Sequence, residues 1–151
     1  MALTASLRSF SRLSWFQRAL LAEALATLAA ASLAIRLAPF RRVVQAAGSS
    51  ERRASGDERH HAETIKQCRW AVGAWADRVP WRAVCFQRGL ALHLMLRRRR
   101  VPSVLHYGVA QTSERGLSAH VWISSRGQIV LGGEEAGGFA CLASFPAPPA
   151  A

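Results

Sequence analysis

The sequence predicts an α+β domain, a helical N-terminal region followed by a core in which a central cysteine-bearing helix lies on a small antiparallel sheet. Three observations lead there. Apolar residues recur at helical spacing as far as Arg97, the spacing then drops to two in three short segments beginning at Ser103, and the order is helices first, strands afterwards. With 151 residues and 50% hydrophobic content, the chain is long enough for one domain with a real core and too short for two comfortable ones.

The first predicted helix carries "RALLAEALATLAAASLAI" from Arg18, with Leu13, Phe16, Leu20, Ala24, Leu28, Ala31 and Ile35 on one broad face. Ser14 is placed to cap its start and Pro39 to end it. Its apolar run of about 17 residues is at the lower limit for a membrane span, and Glu23, Thr27 and Ser32 interrupt it. The following "RLAPFRR" is too basic for a signal-peptide cleavage site. A packing helix is the reading adopted, with a membrane-surface helix as the alternative that the flanking arginines keep open. This gives a helical region over 1–45, serving packing or partner docking.

Residues 46–61, "AAGSSERRASGDERHH", lose the periodicity and read as a linker, with His60 and His61 solvated. The core is expected over 62–145. Its first helix, "AETIKQCRWAVGAWADRVP", turns Ile65 and Cys68 inward and is closed by Pro80. A third helix over Ala83–Arg97 is apolar almost all round and therefore central. The cations of "RRRR" at 97–100 complement the negative end of its dipole, a reading preferred to nucleic-acid binding. Strands are predicted at 103–110, 117–124 and 127–131, joined by hairpin-like turns. "FACLASF", with Cys141, is expected to pack back on the core, and the tail 146–151 to be disordered.

The net charge of +11 draws the surface to something negative: nucleic acid, an anionic membrane or an acidic partner. Cys68, Cys85 and Cys141 form neither a CxxC pair nor an even framework, which disfavours a disulfide scaffold or zinc ribbon and fits a reducing cytoplasm. No metal or other cofactor is expected.

Cys85 opens the central helix, where unpaired N–H groups and the dipole favour a thiolate. A nucleophile also needs a base. His93 is about 12 Å along the same helix, too far to take the proton. His106 reads as a half-buried polar residue on a strand. In "LSAHVWIS", alternation sends Ala119, Val121 and Ile123 to one face and Ser118, His120 and Trp122 to the other, so an imidazole sits beside an indole. Gly89, one turn beyond Cys85, leaves room for a strand to approach. Spacing alone leaves a Cys85/His120 pair open against a packed thiol and a structural histidine.

"WRAVCFQRGLALHLMLRRRRVPSVLHYGV" followed by "SAHVWISSRGQIVLGG" resembles the transglutaminase-like leader peptidases of lasso peptide biosynthesis, the B2 proteins, and "LSWFQRALLAEALATLAAASLAIRLAPFRR" is similar to their N-terminal helical region. The resemblance implies a transglutaminase-like, papain-like core and a cysteine peptidase that removes the leader from a lasso precursor. Cys85 then matches the nucleophile and His120 the base. Many members place an aspartate about a dozen residues after the histidine to orient it, in the general manner of a catalytic triad. Here Gly132 stands in that neighbourhood. Glu134, with Glu135 as the alternative, could reach back; otherwise both are solvated and a backbone carbonyl or side-chain amide holds His120. The resemblance also implies partners: the precursor's leader, a separate leader-recognition protein for which the N-terminal helix offers a docking face, and an ATP-using lasso cyclase. Nucleic acid is not expected, and a peripheral membrane contact is open. The alternative functions are a transglutaminase-like acyl transferase and a non-enzymatic basic module for nucleic acid or membrane.

Overall fold

The computed structural model describes residues 13–48, 57–81, 85–112 and 116–146. All but one residue of the expected disordered tail lies outside the described residues. Among the described residues, four helices of more than two turns precede the first strand: α1 (Trp15–Leu37), α2 (Phe40–Gly48), α3 (Glu58–Ala76) and α4 (Cys85–Arg98). They are followed by β1 (Val104–Thr112), β2 (Gly116–Ser125), β3 (Gln128–Leu131), the single-turn α5 (Gly133–Ala136) and β4 (Ala140–Phe145). The strands form an antiparallel sheet in the order β3-β2-β1-β4. The architecture is α+β.

Ser14 caps α1 as its position predicts, within a full capping box: its hydroxyl accepts from the Gln17 N–H at 3.2 Å, and the Gln17 side chain accepts from the Ser14 N–H at 2.9 Å. Pro39 ends α1 and also begins α2, since its carbonyl accepts from the Arg42 N–H at 2.9 Å. The expected linker is correspondingly narrower, because Ala46–Gly48 belong to α2 and Glu58–His61 to α3. His61 is buried rather than solvated, its Nδ1 accepting from Arg126 at 3.2 Å, whereas His60 is exposed.

The core is continuous from α1 to the sheet. Leu20, Leu28, Cys68, Leu90, Leu92, Met95, Leu96, Leu105 and Ile123 are buried in one cluster, so the N-terminal helix is part of the domain. Its face is pinned by the Trp75 indole N–H donating to the Leu21 carbonyl at 2.8 Å. The arginine run adds a second tie: Arg98 and Arg99 each donate to Glu23 of α1 at 3.0 Å. Arg99 beside Glu23 holds that carboxyl below its usual range.

α4 lies on the sheet at Gly89, where a Cβ would stand 2.7 Å from the Val121 side chain. The strand approaches at that point because glycine leaves it room. β2 turns into β3 through Arg126 and Gly127, both left-handed at φ 49° and 79°, the two-residue hairpin geometry that matches strand twist. Of "FACLASF", Ala140–Phe145 pair with β1 as an edge strand and Phe145 packs against the core as expected, but Cys141 is exposed.

Candidate active site

Cys85 is the first residue of α4, so its N–H and those of the next residues have no partner within the helix. The thiol is half-buried. On β2, His120 is opposite Gly108 of β1, and His106 is opposite Trp122. Gly108 has no side chain because the Trp122 indole lies over it: a Cβ there would be 2.8 Å from the ring. Trp122 in turn stacks on both imidazoles, at 5.5 Å from His106 and 6.2 Å from His120. Phe139 closes the other side of His120 at 5.1 Å. The imidazole is thus shielded and held, with its side chain 9% exposed.

The hydrogen bonds of His120 define its tautomer. Nε2 is 2.9 Å from the Gly132 carbonyl oxygen, which can only accept, so the ring proton of the neutral form sits on Nε2 and the lone pair on Nδ1. Gly132 is left-handed at φ 74°, and a Cβ on it would lie 2.8 Å from the Val121 carbonyl and 3.1 Å from His120 Nε2. The space an orienting aspartate side chain would need is taken by backbone, and a carbonyl holds the ring instead. The carboxylate nearest the ring is Glu135, not the favoured Glu134: its Oε2 lies 3.6 Å from Nδ1, on the side away from the Gly132 bond. Residues 134 and 135 are about 100° apart on the turn of α5, so only Glu135 lines the cavity of Cys85, while both carboxylates, with Arg69 and His120, line an adjoining cleft.

Cys85, His120 and Glu135 line one cavity of about 670 Å³, where the start of α4, the chain leaving α3, the middle of β2 and α5 meet. Its wall includes three features that the sequence did not single out. Asp77 and Arg88 form an ion pair at 2.5 Å. Phe139 supplies an aromatic surface. Trp81, four residues before the cysteine, has a buried indole N–H with no hydrogen-bond partner among the described residues. Nothing in the spacing of Trp81 distinguishes a donor from a packing ring, so the sequence offers no signal for it.

The other candidates fall outside this cavity. His106 donates or accepts at both nitrogens, 2.8 Å from the Ser144 and 2.7 Å from the Ser124 hydroxyl, and burial lowers its pKa. His93 is fully buried against Ser103 at 2.9 Å. Cys68 lies in the core, where burial pushes its thiol up to about 11 and keeps it protonated.

A family model described as the transglutaminase-like superfamily matches residues 24–144, most of the chain and every residue of the cavity. No curated protein and no solved structure matches it.

Proposed function

Because the chain belongs to the transglutaminase-like superfamily, whose members are typically cysteine-based enzymes, we propose that it is a cysteine peptidase that removes the leader from a lasso precursor. The observation that carries this reading is the shared cavity of Cys85 and His120, with the imidazole's Nε2–H fixed on the Gly132 carbonyl and its basic nitrogen left for the thiol. Nδ1 takes the Cys85 proton, and the thiolate attacks the scissile carbonyl. The tetrahedral oxyanion is received by the Cys85 backbone N–H at the start of α4 and by the indole N–H of Trp81, which has no partner among the described residues. The imidazolium, with Glu135 3.6 Å away and Gly132 accepting behind it, returns the proton to the leaving amine. Water then releases the leader as a free acid.

Glu134 is given no part in this scheme. The precursor's leader is presented by a separate leader-recognition protein, and a cyclase closes the ring afterwards; both are carried by the sequence resemblance. The whole is assigned to the cytoplasm.

The test is mass spectrometry of a candidate precursor incubated with its recognition protein and either this chain or Cys85→Ala. Cleaved leader with the wild type alone supports the reading. Intact precursor in both reactions counts against it, and a crosslinked product in place of a free acid identifies an acyl transferase.

A further inference from the structure

Among the described residues, nothing covers the outer face of α1. Its inner face supplies Leu20, Leu28 and their neighbours to the core, but Trp15, Leu33 and Leu37 point away from the molecule, and the exposed Ala22, Ala26 and Ala30 continue the same face between them. Trp15 is 84% and Leu37 77% exposed. About a third of the most apolar part of this helix, 33%, is fully buried within the molecule, and the stripe that faces outward is not. A continuous apolar stripe of this kind marks a surface that works against something else.

The charge around the stripe says what. Arg36, Arg41 and Arg42 are exposed at the corner where α1 passes into α2, next to Leu33 and Leu37. The two helices contain a single carboxylate, Glu23, and Arg98 and Arg99 already neutralise it at the core side. An apolar face with a cluster of cations at one end, and no anion beside them in these two helices, complements a surface of acyl chains below phosphates. A protein groove would need only the first half of that pattern. The helix cannot span the bilayer, because its other face is built into the core.

We propose that α1 and the start of α2 dock the enzyme on an anionic lipid bilayer, with the Trp15–Leu37 stripe lying in the interface plane and Arg36, Arg41 and Arg42 among the headgroups. The active-site residues have no part in this, so the proposal stands or falls independently of the peptidase reading.

The experiment is co-sedimentation of the full chain with vesicles of phosphatidylcholine alone or with one quarter phosphatidylglycerol. Wild type and Cys85→Ala should bind the anionic vesicles alike, and the neutral ones at least tenfold more weakly. Leu33→Glu/Leu37→Glu and, separately, Arg36→Glu/Arg41→Glu/Arg42→Glu should each lose at least tenfold on anionic vesicles. The leucines are exposed, so circular dichroism of that variant should match the wild type. Wild type that stays in the supernatant overturns the proposal. So does a leucine variant that binds as well as wild type, which would reduce the effect to charge adsorption. A leucine variant that instead dissolves a dimer, or loses a protein partner while keeping the vesicles, assigns the stripe to that occupant and also overturns it.

Discussion

An aspartate side chain cannot occupy position 132 without moving the strand beside it, and this decides how His120 is held. The left-handed backbone at φ 74° costs an ordinary residue about 1–2 kcal/mol. The 2.8 Å approach to the Val121 carbonyl adds to that cost. Gly132→Asp should therefore lower both stability, by at least about 2 kcal/mol, and peptide cleavage, even though it restores the residue the resemblance leads one to expect. Urea denaturation beside a cleavage assay would show it; a stable, fully active Gly132→Asp would mean that the carbonyl is not what orients the ring. Glu135 acts more weakly, being 72% exposed at the side chain. Glu135→Gln should slow cleavage by a factor of about 2 to 5, the scale of a solvent-screened ion pair. Glu134→Gln should leave the rate unchanged, and steady-state kinetics of the two variants side by side distinguishes them. The sequence shows that two carboxylates follow the strand, but which one meets the ring depends on the phase of a four-residue helix, and no periodicity is readable over four residues.

The contact of α4 with β2 is set by one missing methyl group. Gly89→Ala would put a Cβ 2.7 Å from the Val121 side chain and force the helix or strand apart, at about 1–3 kcal/mol. Because Cys85 is one turn away on the same helix, activity should fall with stability. Val121→Ala in the same chain should recover much of both, and a thermal melt of the double variant showing no recovery would locate the strain elsewhere. This close approach was legible, because a glycine within an apolar helix weakens that helix unless a neighbouring backbone or strand needs the space. The central helix, β2 and the partition of His120 and Trp122 from Val121 were legible for a similar reason, each resting on a long regular period. β4 was not: "ACLASF" is apolar without alternation, and its strand identity comes from pairing with β1. α2 was missed because Pro39 serves two purposes, stopping one helix and starting the next.

At the scale of the whole molecule, the N-terminal helix α1 and the end of the cysteine-bearing helix α4 are joined by charge as well as by apolar packing. The sequence shows the arginine run and the lone Glu23 in an otherwise apolar helix, but their meeting spans 76 positions and only the fold reveals it. Glu23 is mostly buried, and Arg99 holds its folded pKa below the unfolded carboxylate value of about 4.3. A group depressed in the folded state stabilises the protein above its unfolded pKa, and that contribution is lost as pH falls through the folded value. Wild type should thus be more stable than Glu23→Gln at neutral pH by about 1.5–3 kcal/mol at most, the range for a hydrogen bond to a charged partner. The difference should shrink steadily as pH drops below about 4, where the wild-type carboxyl takes up its proton and the two chains become alike. Denaturation midpoints of both proteins from neutral pH down through that window measure this directly. Parallel curves would mean that Glu23 titrates the same way folded and unfolded, and that the arginines tie the two helices by some means other than its charge.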